Sequence, residues 1–270
     1  MIRLGIMQTS LDRSDMERSF DWAHQIGCEG LEITCSTPDE AKFLFTPAGH
    51  DRIAQLASQH HVTATSLALG VLCQSESFLG DESAVQAARG IVSDAIQCCA
   101  KTGMGVVLVP FFGKSSIEVE EHITRLPERL IDLAEEAEEA GVVLGIESLM
   151  NVNQQLYLLD ALSAHKSVKI YVDSANTVPR RLDPSINLRE LGKERVCQIH
   201  LKDVRVVEGQ MPDFRVNLGE GNVDLPAVMN AMAAIRYDGW VILETPTGET
   251  PLESARRNLQ FARQLLEKTG

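Results

Sequence analysis

The stretch GVVLGIESLMN, residues 141–151, decides the fold of this chain. It contains an apolar run rich in β-branched residues, Val142 to Ile146, and a carboxylate, Glu147, follows directly. Such runs are typical of parallel strands that are buried on both faces. A buried glutamate is costly unless another group pairs with it. The end of this strand therefore predicts a partner for Glu147.

Short apolar runs of the same kind alternate with amphipathic stretches along the chain, and no linker interrupts the 270 residues. We predict eight strands, each followed by a helix; the helix between the second and third strands is predicted over Asp51 to His61. Repeated βα units indicate parallel strands, and this length suits one closed (β/α)8 barrel. An open doubly wound sheet is the alternative, but no glycine-rich fingerprint follows the first strand. We therefore predict an α/β fold, a TIM barrel that forms a single domain over residues 1–270.

Composition limits the classes of partner. The formal net charge is −13, which argues against a nucleic acid partner because binding to phosphates needs clustered Lys and Arg. No apolar run approaches the roughly 20 residues of a membrane span, and the start MIRLGIMQTS has too short an apolar core for a signal peptide. The six cysteines lack C-x-x-C spacing, which argues against zinc-ribbon and thioredoxin sites. We expect a cytoplasmic protein with reduced thiols and no membrane partner.

Three more predicted strands end in a group that can bind a metal. VKIYVD ends in Asp173, RVCQIH in His200 and GWVILE in Glu244. One carboxylate at a strand end is usually a helix cap or a solvated loop residue, but here four successive strands share the feature. The C-terminal strand ends of a barrel converge on one mouth, where crowded carboxylates would repel one another without a cation. We therefore predict a site for one divalent metal ion, with Glu147, Asp173, His200 and Glu244 as ligands.

The donor types do not select the metal. Mixed oxygen and nitrogen ligands suit several divalent ions. Manganese is our first prediction, with magnesium, cobalt and zinc as alternatives.

Three segments carry a resemblance to a known family. They are IHLKDV (residues 199–204), FRVNLGEGNVDLPAVMNAMAAIRYDGWVILE (residues 214–244) and, as a looser match, GCEGLEI (residues 27–33). Together with the strand ends they resemble the xylose-isomerase-like barrel superfamily of sugar isomerases and epimerases. The resemblance implies a Glu, Asp, His, Glu metal set, a small sugar or sugar-phosphate substrate, and a homo-oligomer, either dimer or tetramer. It covers the whole chain as architecture, and its specific motifs lie from Gly141 onward.

Two positions depart from the family pattern. Members often carry a histidine three residues after the metal-binding aspartate, where this chain has Asn176. Asparagine can donate a hydrogen bond to a substrate hydroxyl but binds extra metal poorly, which argues against the DNA-repair endonucleases of the superfamily. Free-ketose epimerases usually carry an arginine six residues after the metal histidine, where this chain has Val206. HLKD is closer to the sugar-phosphate epimerases and inosose dehydratases.

The predicted site supports proton transfer next to a carbonyl. Removing that proton from a ketose leaves a negatively charged enediolate, which a divalent ion stabilises as a Lewis acid. Epimerisation also needs an acid/base group on each face of the substrate. Glu147 and Glu244 come from well-separated strands, and we predict them as the catalytic pair. The predicted enzyme is a metal-dependent isomerase or epimerase of a ketose or ketose phosphate.

Other functions remain open at this point. One alternative is a dehydratase of the inosose or dehydroshikimate type on the same metal site, with a glutamate or Lys202 as base. Another is a metal-binding barrel without turnover, or a nuclease. Fold alone does not decide among them.

Six residues are candidates for binding the substrate. Lys202 follows His200 by two residues, so both side chains leave the strand on one side; a salt bridge between Lys202 and Asp203 is the alternative. Arg215 is a candidate for an anionic substrate group, and a surface ion pair is the alternative. The other four candidates are Asn176, Glu32, Ser66 and Phe112. Their alternatives are a loop salt bridge for Glu32, a structural role for Ser66 and core packing for Phe112.

Overall fold

The strands close into a barrel. The computed structural model describes residues 1–269. Within them the strands follow chain order around the barrel, and the last strand pairs with the first. The strands are β1 (Arg3–Met7), β2 (Gly30–Thr34), β3 (Thr63–Ala68), β4 (Val106–Phe111), β5 (Val143–Ser148), β6 (Val168–Asp173), β7 (Val196–Leu201) and β8 (Trp240–Leu243). The predicted α/β fold, a (β/α)8 TIM barrel, is confirmed.

Helices connect the strands. Within residues 1–269 they are α1 (Met16–Ile26), α2 (Pro38–Leu44), α3 (Pro47–His60), α4 (Glu82–Thr102), α5 (Glu120–Ala140), α6 (Val152–Ala161), α7 (Pro184–Leu191), α8 (Leu225–Ala234) and α9 (Pro251–Thr269). None of the helices described here is both long enough and apolar enough to cross a membrane.

Two helices, not one, lie between β2 and β3. The second, α3, begins four residues before the predicted Asp51. The first, α2, was missed, although its start carries a clear signal: Thr37 and Glu40 form a capping box, and Pro38 stands in the first turn. A helix of seven residues is too short to show apolar periodicity, which explains why the sequence pattern did not predict it.

Left-handed glycines end helices directly before strands, as two examples show. Gly141, the first residue of the stretch that decides the fold, has φ 69° and ends α5. Gly103 has φ 78° and ends α4. Glycine adopts this conformation without steric cost, so the chain can reverse within two or three residues and enter the next strand.

Neighbouring residues group into two compact units. The first contains residues 1–32, residues 57–63 and the chain from residue 172 onward. Within it, Ile6 of β1 and Leu201 of β7 both lie opposite Leu243 of β8. The second contains residues 33–56 and 64–171. Within it, β3, β4 and β5 pair in parallel, and β4 is buried along its whole length. A single domain over residues 1–270 stays a prediction.

The cysteines differ in accessibility. All six are free thiols, of which Cys73 and Cys197 are partly exposed. The four buried thiols are Cys28, Cys35, Cys98 and Cys99. Burial raises the pKa of Cys28, Cys35 and Cys98 to about 12. It also holds the pKa of Cys99 well above its ordinary value. Reaction needs an accessible thiolate, so both burial and a raised pKa keep these four thiols from reacting.

We expect a thiol-reactive dye at pH 8 to modify at most Cys73 and Cys197 in the folded protein. Buried thiols with a raised pKa contribute almost no thiolate at that pH. Counting modified sites by mass spectrometry, before and after unfolding in guanidinium chloride, checks this. Unfolding should expose all six, and rapid reaction of three or more in the folded chain would contradict the burial described here.

Candidate metal centre and active site

Four groups from the ends of β5 to β8 lie close together. Each offers one ligand atom, and these atoms all lie within 4.8 Å of one another. The groups are the side chains of Glu147, Asp173, His200 and Glu244. The first three are buried, and the Glu244 side chain keeps 25% of its surface exposed. The structure thus brings together the four residues that the sequence analysis selected.

The backbone of the last two strands places His200 and Glu244. His200 is the penultimate residue of β7, and Glu244 directly follows β8. The Glu244 N–H donates to the carbonyl of Leu201 at 3.1 Å, which extends the pairing of β7 with β8 beyond the last strand residue. Both side chains therefore start from regular strand backbone rather than from a free loop.

Asp173 is held by the turn that follows β6. Its Oδ1 accepts hydrogen bonds from the N–H groups of Ala175 at 2.7 Å and Asn176 at 2.6 Å. Oδ2 lies 4.0 Å from Nδ1 of His200. One oxygen thus fixes the carboxylate, and the other is directed at the cluster.

The imidazole of His200 lies between carboxylates. Its Nδ1 is 3.2 Å from Oε2 of Glu244, and its Nε2 is 2.7 Å from Oε1 of Glu32. The side chains of His200 and Glu32 are 1% and 0% exposed. Glu32, a predicted substrate residue, is therefore enclosed and in contact with a predicted metal ligand.

Lys202 pairs with Glu244. Its Nζ lies 2.5 Å from Oε1 of Glu244 and 5.2 Å from the centre of the Phe214 ring. Burial alone would raise the pKa of Glu244, but the charge of Lys202 and the neighbouring His200 imidazole hold that pKa far below its ordinary value. Glu244 is therefore ionised near neutral pH. Its Oε1 contacts the ammonium, and its Oε2 faces the cluster.

The salt bridge between Lys202 and Asp203, which was the alternative for Lys202, does not form. The Asp203 carboxylate accepts hydrogen bonds from backbone N–H groups between 2.8 and 3.1 Å away. The donors are Val204, Gly219, Gly221 and Val223. A side chain at Gly221 would collide with this carboxylate. The aspartate of HLKD thus holds the LGEG loop, which leaves the lysine to Glu244.

The structure places the remaining candidates in different surroundings. Asn176 is partly exposed beside Asp173, whereas Ser66 is buried in β3 with its hydroxyl 3.1 Å from that of Thr65. Phe112 is partly exposed just after β4. The Arg215 side chain is 88% exposed and pairs with Asp213 at 3.0 Å, as the surface alternative describes.

Sequence reasoning missed two residues near the cluster. Phe214 lies beside Lys202, and it stands at the start of the segment whose family resemblance was recognised from the LGEG motif. Cys73 lies close enough to Glu147 for that carboxylate, after burial, to raise its pKa. No motif marks Cys73, so no sequence signal pointed to it.

The donor set fits a divalent cation. Ligand atoms bind a divalent ion at about 2.1 Å, and four atoms that all lie within 4.8 Å of one another would have to move inward by less than about 1 Å each to reach a common ion. Three carboxylates and an imidazole are ligands that manganese, magnesium, cobalt and zinc accept. The four residues therefore form a potential metal-binding site, and the geometry does not select the ion.

We expect Mn²⁺ to raise the melting temperature of the chelator-treated protein. An ion that binds only the folded chain stabilises it by about 2.7 kcal/mol at one hundred times its dissociation constant. His200→Ala removes one ligand and should abolish most of the shift, whereas Glu139→Gln on the exposed face of α5 should keep it. Differential scanning fluorimetry across a Mn²⁺ series measures both. A wild-type melting temperature that does not respond would argue against the metal centre.

Replacing Asp203 with Asn should lower the free energy of unfolding by about 2–4 kcal/mol, because hydrogen bonds to a charged acceptor are worth about 1.5–3 kcal/mol each. An amide also turns a donor toward backbone N–H groups. The matched control is Asp224→Asn at the start of α8, where asparagine caps as well as aspartate. Urea unfolding of the two variants checks the difference, and equal stability would contradict the anchoring of the LGEG loop by Asp203.

Comparison with known proteins places this architecture. The model of the family described as xylose isomerase-like TIM barrel matches residues 20–265. A protein of Escherichia coli (strain K12), provisionally named as an L-ribulose-5-phosphate 3-epimerase, is 29% identical over 61% of this chain, and the match spans only 59% of that relative. The 2-epi-5-epi-valiolone 7-phosphate 2-epimerase of Actinoplanes sp. (strain ATCC 31044 / CBS 674.73 / SE50/110) is 24% identical over 89% of this chain and 86% of its own.

Among solved structures, the IOLI protein with a bound zinc atom superposes with a TM-score of 0.82 at 17% identity, covering 99% of each chain. At this identity the likeness concerns the fold.

Proposed function

This chain belongs to the xylose isomerase-like TIM barrel family, and from that premise we propose that it is a metal-dependent epimerase or isomerase of a ketose or ketose phosphate. The observation that carries the proposal is the cluster of Glu147, Asp173, His200 and Glu244 at the strand ends. Two relatives named as epimerases of phosphorylated substrates support it. The zinc atom in the IOLI protein supports a metal in the same fold.

The two glutamates are the proposed acid/base pair. They come from β5 and β8, so a substrate between them would meet one carboxylate on each face, as epimerisation requires. A divalent ion bound by the four groups would supply Lewis acidity for the negative charge that develops on the substrate oxygen. Asp173 and His200 serve as ligands in this proposal, and manganese stays the first choice of ion.

Lys202 is the proposed contact for an anionic or hydroxyl group of the substrate. Its ammonium already lies against Glu244 and over the ring of Phe214. A cation at this position can attract a phosphate or donate a hydrogen bond to a hydroxyl. Asn176, Ser66, Phe112 and Arg215 stay predicted substrate contacts, and Arg215 would have to leave Asp213 to make one.

A dehydratase is the second candidate. The contact between Lys202 and Glu244 favours it, because an ammonium beside the predicted base can give a proton to a departing hydroxyl. The same residues would then remove a proton and expel water from an inosose or a related hydroxyketone. A cytoplasmic location, a dimer or tetramer, and the absence of a nucleic acid or membrane partner stay predictions.

Proton NMR in D₂O tests both candidates directly. The chain would be incubated with a low level of Mn²⁺ and a panel of ketoses, ketose phosphates and inosose. We expect deuterium to appear on the carbon beside the carbonyl of one substrate class, together with the epimer or isomer. A product that has lost water would establish the dehydratase instead. Prior treatment with a chelator should abolish turnover, and added Mn²⁺ should restore it.

Substitution of the proposed acid/base pair is the second test. Glu147→Gln and Glu244→Gln should each lower the exchange rate at least 100-fold, since a positioned general base contributes typically 10²–10⁴-fold. Glu139→Gln, an exposed glutamate of α5, is the control and should keep the wild-type rate. Full activity in either active-site variant would remove that glutamate from the mechanism.

A further inference from the structure

Glu32 occupies an unusual position for a substrate contact. It lies in β2, with Met7 of β1 opposite it in the sheet, and its side chain is fully enclosed. Its Oε1 is 2.7 Å from Nε2 of His200, whose side chain is equally buried. An enclosed carboxylate is retained only where it is hydrogen bonded or paired. Glu32 therefore contacts His200, and through that imidazole it can affect the candidate metal site.

The contact determines which nitrogen of His200 faces the cluster. An ionised carboxylate only accepts hydrogen bonds, so Nε2 carries the proton that it donates to Glu32. The other nitrogen, Nδ1, lies 3.2 Å from Oε2 of Glu244 and 4.0 Å from Oδ2 of Asp173. In the ion-free chain a proton on Nδ1 would point at these carboxylate oxygens, and a cation bound between them would replace that proton and accept the Nδ1 lone pair.

We propose that Glu32 is the positioning residue of the metal centre: it holds the Nε2–H of His200 and thereby presents Nδ1 as the ligand atom. This inference deepens the proposed function and rests on its metal site. Histidine ligands commonly donate their second N–H to a carboxylate, which fixes the ring and raises its basicity. Glu32 is on a strand, so the hydrogen bond is held by the barrel wall rather than by a loop.

The electrostatic cost of placing Glu32 near three other carboxyl groups supports a cation at this centre. Glu32, Glu147, Asp173 and Glu244 are four carboxyl groups around the His200 imidazole, and the Lys202 ammonium contacts Glu244. A fourth carboxylate adds its own repulsion with the other three, and a cation at the centre would offset that cost. In a centre with a divalent ion, Glu32 would add to the attraction between the carboxylates and the ion. It would also orient His200, which is the nitrogen ligand of the proposed set.

The test compares Glu32→Gln and Glu32→Leu with Glu29→Gln. Glutamine keeps the shape and loses the charge, and leucine removes the acceptor. Glu29 is exposed and lies just before the same strand, where it accepts from the N–H of Leu4 at 3.3 Å, so Glu29→Gln is a matched control. Isothermal titration with Mn²⁺ measures affinity without any substrate. We expect Glu32→Gln to bind Mn²⁺ 10- to 100-fold more weakly, Glu32→Leu at least as weakly, and Glu29→Gln like the wild type.

A second readout reports the ring itself. In ¹⁵N-histidine NMR of the chain with Zn²⁺, we expect a slowly exchanging Nε2–H for His200 in the wild type, and its loss in Glu32→Leu. Should Glu32→Leu fail to fold, the wild-type spectrum and Glu32→Gln still decide.

Wild-type Mn²⁺ affinity in both Glu32 variants would overturn the inference and leave the proposed function intact. So would a His200 ring that carries its proton on Nδ1. A wild type that binds no Mn²⁺ would overturn the metal-dependent function and the inference together.

Discussion

Electrostatic repulsion among carboxylates at one end of the barrel is the constraint on which the candidate site depends. Glu147, Asp173 and Glu244 place ligand atoms within 4.8 Å of one another and of His200. At such distances two like charges near a protein surface repel by about 3–4 kcal/mol. Lys202 contacts Oε1 of Glu244, whereas Oε2 still faces the cluster. The remaining negative charge fits a divalent cation, which is the basis of the proposed metal-assisted chemistry.

The neighbours of the cluster keep its members from turning away. The amides after β6 hold Asp173, the enclosed Glu32 holds His200, and the ammonium of Lys202 holds Glu244. Each of these contacts uses one atom of the ligand side chain and leaves another directed at the cluster. Such preorganisation would lower the cost of assembling the proposed metal site, because the side chains are already ordered without an ion.

The short HLKDV segment shows how neighbouring residues divide the work. His200 belongs to the cluster, Lys202 contacts Glu244, and Asp203 binds the backbone of the LGEG loop. Ser174 joins this segment to the turn after β6, since its hydroxyl donates to the carbonyl of Lys202 and accepts from its N–H. Resemblance alone identifies the segment, whereas these contacts give each residue a physical task. They also explain why glycine stands at position 221, beside the Asp203 carboxylate.

The alternation of apolar runs with amphipathic stretches was enough to predict the barrel. The polar residues at the strand ends were enough to select the four clustered groups. Both predictions succeed because the parallel strands of a barrel end at one rim, so residues at successive strand ends lie close together in space. Partner choice was decided only by the tertiary structure. Glu32 contacts His200, which is 168 residues away in the sequence, and Lys202 pairs with Glu244 rather than with the adjacent Asp203. The period of a strand tells which face a side chain leaves, but the atom that it meets there depends on the register and tilt of strands that are distant in sequence.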